Sequence, residues 1–456
     1  MLRANSRLHG FLGVPGVDFV EHAVGAIQRI LPHVKVSAWQ EGPWEKPKSV
    51  WTSPRRTAIQ MTIAIGGQEA LESRSLTASI ERRSVQVARA RAPRVLDRRE
   101  HDICRRIALR ISEIVQRAPS GQSSASIHAI RDAFDEYIVA GHIEDHHELK
   151  MPVSSVFAAL HTLSEQSYEN KALTFGCILD RDRQGGQADA RFPGDFLGSK
   201  KYKALSDGFR TAYHVSTGGQ VLNFVDLERF EKDPLTEKHY YPEWAEPIAR
   251  ASRSGRCGIA LSRQGDILVF DDGTLRFTYR YGRWQYWNHA HLVKLLRDRA
   301  KAQRVPPPIL GRVVGAIYRA ALDVSFRRCG GLFVILHNRR KLREVVRAGD
   351  AISDRKRSKT DCEFDEVLRK HKNIQSLPRV VTVELASLDG AMVLENSGRI
   401  LAYGAVLQPK KAGRLRGTEG SRTKAAIGAS NYGMAVKVSS DGEIEVYHKG
   451  TQFIRM

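Results

Sequence analysis

The sequence predicts an α/β protein whose C-terminal part is a mixed β-sheet wrapped by helices, preceded by two regions of α+β character. Three observations carry this. After Pro306-Pro307-Pro308, apolar helical faces alternate with short β-branched runs as far as the C-terminus. Upstream, three alternating apolar segments are separated by Arg263-Gln264-Gly265 and Asp271-Asp272-Gly273, the spacing of a β-meander. Ahead of both, helical and strand periodicities mix over residues 1–148.

A chain of 456 residues has room for two or three cores. The expected divisions are 1–148, 149–300 and 301–456. In the first, Asp18 is placed to cap a helix with Val20, Val24, Ile27 and Leu31 on one face, ended by Pro32. Residues 59–63 alternate as a strand. A basic helix follows with Ile103, Ile107, Ile111 and Val115 inward, then a small polar linker from Ala118 to Ser124. The run His142-Ile143-Glu144-Asp145-His146-His147-Glu148 sets two histidines one helical turn apart. Its composition is that of a solvated hinge, and that reading is preferred over a metal site.

In the second division, Val156, Phe157, Leu160 and Leu163 define a helix leading into a strand over 173–179. The meander takes 257–261, 267–270 and 275–281, and Trp284, Tyr286 and Trp287 close it as core rather than as a ligand clamp. In the third, Ile309, Val313, Ile317, Tyr318 and Ala321 form one helical face, and Gly330–Leu336 reads as a buried central strand. Residues 354–359 are expected as a loop and 364–368 as the start of a helix. Strands are expected over 380–385 and 391–394, on either side of a turn at Asp389. Residues 434–438 and 444–447 pair as a closing hairpin across Ser439-Ser440-Asp441-Gly442.

The net charge is +22. A basic surface attracts polyanions, yet no zinc finger, helix-turn-helix or RNA-binding aromatic motif accompanies it. An arginine-rich chain with a site for triphosphates is the preferred reading; nucleic-acid binding through the 82–110 stretch is the weaker alternative. The five cysteines lie far apart with no C-x-x-C pair, which implies reduced thiols and a cytoplasmic setting. The first residues lack a signal-peptide pattern, and no apolar run approaches the roughly twenty residues of a membrane span.

The chemistry concentrates in the last seventy residues. Ser387-Leu388-Asp389-Gly390-Ala391-Met392-Val393-Leu394 puts a carboxylate and a glycine in a turn at the mouth of an apolar strand. Gly420-Ser421-Arg422-Thr423-Lys424-Ala425-Ala426-Ile427-Gly428 brings hydroxyls and two cations to the point where a glycine-rich loop enters a helix. A helix N-terminus with free amides and flanking cations suits phosphate. A nearby carboxylate suits a magnesium or manganese ion on that phosphate. Taken singly, Asp389-Gly390 is an ordinary turn, and Gly413, Gly417 and Gly420 mark a flexible loop. Taken together, the two blocks read as a metal-assisted nucleotide site.

These residues resemble the diadenylate cyclase domain, the nucleotidyltransferase that makes cyclic di-AMP from ATP. Asp389-Gly390-Ala391 is similar to the family's Asp-Gly-Ala. Gly420 to Ala426 is similar to its Gly-Thr-Arg-His-Arg-Ala-Ala, and Ile427-Gly428-Ala429-Ser430 continues the likeness. Thr423 stands for the family histidine, Lys424 for the following arginine, Asn431 for a residue acidic in some relatives, and Leu388 for a histidine of others.

The resemblance implies that two such domains face each other as a homo-oligomer, each holding one ATP. Asp389 would hold Mg2+ or Mn2+ and polarise the attacking hydroxyl. Gly390, Ala391, Gly420 and Ser430 would lie against the nucleotide, and Ser421, Arg422 and Thr423 would face its phosphates. Lys424 would sit on the leaving pyrophosphate. The upstream region looks like the sensor regions that precede such domains in some bacterial proteins. The second reading is a degenerate domain that binds ATP or a cyclic dinucleotide as a sensor without turnover, which the residues at 423 and 424 favour.

Overall fold

The computed structural model describes residues 17–32, 34–51, 58–65, 74–82, 96–117, 124–180, 190–197, 205–230, 235–300, 305–353, 372–410 and 420–456. The chain forms two compact units, one of Met1–Pro234 with Ala245–Trp287, the other of Leu235–Trp244 with Asn288–Met456.

The first unit opens with α1 (Val17–Ile30), followed by β1 (Val34–Val36), β2 (Gln40–Pro43), β3 (Lys48–Trp51), β4 (Ala58–Ile65) and β5 (Arg74–Arg82). These strands form an antiparallel sheet in the order β1-β5-β4-β3, with β2 also on β5. Next come α2 (Arg98–Arg117), α3 (Ser124–His146) and α4 (Val153–Ser164). The expected stripe of α2 is there: Ile103, Ile107 and Ile111 are fully buried and the helix packs on β4. Val20 and Val115 fall on these helices with side chains outside the described set, as does the linker over 118–123.

The unit continues through β6 (Ser167–Tyr168), β7 (Lys171–Ala172), β8 (Phe175–Asp180), α5 (Gly194–Leu197), β9 (Thr211–Ser216), β10 (Val221–Asp226) and α6 (Glu246–Ala251). The meander is β11 (Cys257–Leu261), β12 (Ile267–Asp271), β13 (Thr274–Arg280) and β14 (Arg283–Tyr286). The large sheet runs β10-β9-β8-β11-β12-β13-β14, antiparallel except between β8 and β9. Trp284, Tyr286 and Trp287 are buried as expected, with Trp284 tilted against Phe157 at 4.4 Å between ring centres.

Two expectations fail in this unit. Residue 148 is not a boundary between units, because Ile27, Ile107 and Ile138 share one contiguous core with Phe157, Cys177, Ile259 and Trp284. Nor is 142–148 a solvated hinge. The apolar stripe of α3 (Phe134, Ile138, Val139, Ile143) continues through it and draws His142 and His147 in, to 4% and 5% exposure.

The second unit contains α7 (His289–Ala300), α8 (Pro307–Phe326), β15 (Gly331–Leu336), α9 (Arg379–Ser387), β16 (Ala391–Glu395), β17 (Ile400–Ala405), α10 (Ser421–Ala429), β18 (Gly433–Val438), β19 (Ile444–His448) and β20 (Thr451–Arg455). Its sheet runs β17-β16-β15-β18-β19-β20. Only β15 and β16 are parallel, so the sheet is mixed, with helices packed on it. Every residue of β15 is buried, as a continuous apolar run in a central strand requires. Prolines in the first turn of α8 start it without losing any ladder bond.

The strand expected over 380–385 is a helix. Pro378 opens α9 in extended conformation, and Thr382, Val383, Leu385 and Ala386 bury its inner side against α8 and β15. Tertiary packing overrides the β preference of Val380, Val381, Thr382 and Val383. The loop and helix start expected over 354–368 lie outside the described residues. No helix among the described residues is long and apolar enough to cross a membrane.

Candidate functional site

The parallel pairing of β15 with β16 fixes the first half of the site. Phe333 pairs with Met392 and Val334 with Val393, so the two strands begin side by side, near Gly331 and Gly390. Just before them, Cys329 Sγ lies 3.3 Å from Ser387 Oγ, joining the segments that lead into each strand. Asp389 therefore stands exposed at the N-terminal end of the central pair. Gly390 has φ +111°, and a Cβ there would come within 2.5 Å of the Gly404 carbonyl carbon and 2.7 Å of the Ala405 nitrogen. Only glycine combines that backbone with so close a neighbouring strand. Ala391 is buried as the first residue of β16.

The second half comes from α10. Ala426, Ile427 and Ala429 pack it against the sheet face that carries Leu332, Val334 and Ala435. Its first turn reaches the same end of β15: a Cβ on Gly330 would overlap the Arg422 guanidinium. Gly420 is the N-cap, in extended conformation and with no side-chain cap, and the Lys424 N–H donates to its carbonyl. The amides of Ser421, Arg422 and Thr423 thus precede the helical ladder. Ser421 and Lys424 are exposed, and Arg422 is half-buried. The acidic turn and the cationic helix start meet at one end of β15.

Thr423 does something the sequence did not suggest. Its Oγ1 accepts from Lys437 Nζ at 2.8 Å, and Lys437 also pairs with Glu445 at 2.5 Å. Glu445 further accepts from Tyr447 Oη at 3.0 Å and Gln452 Nε2 at 3.1 Å. Lys437 and Glu445 are direct partners across β18 and β19. A lone lysine inside the apolar run 434–438 is the signal that could have flagged this pair. Ser430, expected against the nucleotide, is buried. Its hydroxyl donates to the Ile427 carbonyl at 2.7 Å and accepts from the Gly450 N–H at 2.9 Å, tying the end of α10 to the β19–β20 turn. Gly413 and Gly417 lie outside the described residues.

Chemically the site offers the first-turn amides of a helix, the cations Arg422 and Lys424 and one exposed carboxylate, a set matched to a phosphorylated ligand. Among the described residues, Asp389 belongs to no group of three His, Cys, Asp or Glu side chains close enough to cage an ion. One carboxylate completed by phosphate and water oxygens is how Mg2+ is commonly held, so the residues present fit such an ion on a bound nucleotide.

Residues 318–452 match the DAC family model, described as DisA bacterial checkpoint controller nucleotide-binding. That stretch runs from α8 into β20 and includes both blocks. No curated protein matches the chain. Among solved structures, a hypothetical membrane spanning protein from Bacillus cereus is similar at 17% identity and TM-score 0.24, over 36% of this chain and 74% of its own. DacA from Staphylococcus aureus, as a double cysteine mutant, is similar at 20% identity and TM-score 0.20, over 31% of this chain and 85% of its own.

Proposed function

Residues 318–452 carry a DAC domain, and on that premise we propose that the chain is a diadenylate cyclase, joining two ATP into cyclic di-AMP across two facing domains. The observation that supports this reading is the meeting of the Asp389 turn with the first turn of α10 beside Gly330. The phosphates of ATP lie against the Ser421, Arg422 and Thr423 amides, with Arg422 and Lys424 neutralising charge. Asp389 faces the ribose 3′-hydroxyl that attacks the α-phosphate of the ATP held by the facing domain, and pyrophosphate leaves. A second attack in the opposite direction closes the ring and releases the second pyrophosphate. Mg2+ or Mn2+ held by Asp389 would supply further neutralisation on the phosphates. Most of the rate comes from positioning and charge, so one domain alone is inert. The unit ahead of the DAC domain acts as the sensor that governs how two domains meet.

Incubation with labelled ATP and Mn2+, followed by chromatography, tests this. Cyclic di-AMP is expected from the native chain and none from Asp389→Asn; equal product from that variant removes Asp389 from the reaction.

A second reading has one observation in its favour. The Thr423 oxygen is engaged by Lys437 inside a Lys437–Glu445 network, so this position offers no imidazole and its hydroxyl is already bonded. In that reading the domain binds ATP or cyclic di-AMP without turnover. A rise in melting temperature with either nucleotide and no product would establish it.

A further inference from the structure

The histidine run at the end of α3 is part of a polar cluster inside the first unit. His146 is the last residue of α3, His147 follows it, and Asp271 ends β12. Their potential ligand atoms all lie within 4.8 Å of one another. His147 Nδ1 is 3.2 Å from the Gly255 carbonyl oxygen. A carbonyl only accepts, so the ring proton is on Nδ1 and Nε2 presents its lone pair. That lone pair faces Asp271 Oδ1 at 3.7 Å, too far for a hydrogen bond. Two acceptors facing each other in a largely buried place are stabilised by a cation between them. An imidazole whose second nitrogen donates to a backbone carbonyl is also the usual outer support of a metal ligand. His146 Nε2 lies 3.4 Å from Asp271 Oδ2.

The surroundings fit. Ile143, Val269 and Phe277 form apolar walls of a small pocket at the cluster, open to solvent on one side. The His146 side chain, 43% exposed, stands at the entrance. His142, whose Nδ1 is 2.7 Å from Asp102 Oδ2, does not belong to the group of ligand atoms that lie within 4.8 Å of one another. Two guanidinium groups border the cluster. Arg99 Nη2 bonds Asp271 and lies 3.2 Å from His146 Nε2, and Arg276 Nε is 3.9 Å from Asp271 Oδ2.

We propose that His146, His147 and Asp271 form a binding site for a divalent transition-metal ion of the zinc class, which enters by displacing the Arg99 guanidinium. Two imidazoles and one carboxylate are a borderline donor set that selects zinc, cobalt or nickel over magnesium and calcium. The remaining position is open to water through the pocket mouth. The ion clamps the end of α3 to the β12–β13 turn, so its occupancy is an input to the region ahead of the DAC domain. The site does not depend on the cyclase reading.

Titration of the chelator-treated full chain with Co2+, read by visible absorption and by displacement with Zn2+, tests it. The native chain is expected to give a saturable band that Zn2+ removes. His146→Gln, at a position whose side chain is partly exposed, should weaken binding by about tenfold or more, as should Asp271→Asn, with the melting temperature of each variant checking that the fold is kept. Arg99→Gln should tighten it several-fold by removing the competing cation. The proposal is overturned if neither the native chain nor Arg99→Gln gives a band, or if His146→Gln binds Co2+ as the native chain does.

Discussion

At the scale of single residues, Gly330 and Arg422 are a matched pair. The guanidinium occupies the space that any side chain at 330 would need. Gly330→Ala should therefore displace Arg422 while leaving the melting temperature nearly unchanged, because the displaced group is the free end of a long side chain. Its signature is weaker ATP binding with an intact fold; unaltered binding would separate Arg422 from the nucleotide. Lys437 has the opposite character. Its side chain and that of Glu445 are only 13% and 11% exposed. Lys437→Met leaves a buried carboxylate without its counter-ion and should cost about 3 kcal/mol in denaturant unfolding, the lower end for a broken buried pair, since Tyr447 and Gln452 still donate. His448 supplies a pH dependence. Burial, with Arg299, His337 and Lys449 nearby, pushes its imidazole down to about 4. The unfolded chain takes up that proton near 6.5. The contribution is thus complete above about 6.5 and is lost as pH falls toward 4. His448→Gln should flatten the melting temperature against pH across that window; an unchanged slope would exclude His448 as its source.

At the scale of elements, the turn between α9 and β16 is the most constrained piece of the site. Gly390→Ala demands a left-handed backbone and a Cβ against β17. The conformation alone should cost about 1–3 kcal/mol, and the contact adds to it, so a native-like melting temperature would contradict the geometry. How legible such elements were depended on whether their signal was local. β15 and the meander could be read because an unbroken apolar run and Asp-Gly turns are local patterns. α9 could not, because Val380, Val381, Thr382 and Val383 favour a strand until α8 offers a surface to pack on. The end of α3 was obscured by its own histidines and acids, which hid the stripe from Phe134 to Ile143. The Lys437–Glu445 partnership depends on strand register, which residue composition does not carry. The two motif blocks were legible in sequence, whereas the engagement of Thr423 and Ser430 was not.

At the scale of the molecule, the chain is two units with unequal tasks. The first spends α1 through β14 on one core, and the second sets β15, β16 and α10 around one end of a mixed sheet. If turnover requires two facing DAC domains, specific activity should fall on dilution as the assembly dissociates; activity proportional to concentration throughout would show that a single chain suffices. The most direct test of the site is equilibrium ATP binding with Mn2+ present, compared among the native chain, Asp389→Asn, Arg422→Ala and the double variant. Both single variants should lose about tenfold or more, as for hydrogen bonds to charged groups, and the double variant should fall short of the summed effects because both residues hold the same triphosphate. Loss in only one single variant, or strict additivity, would place the two segments on different ligands.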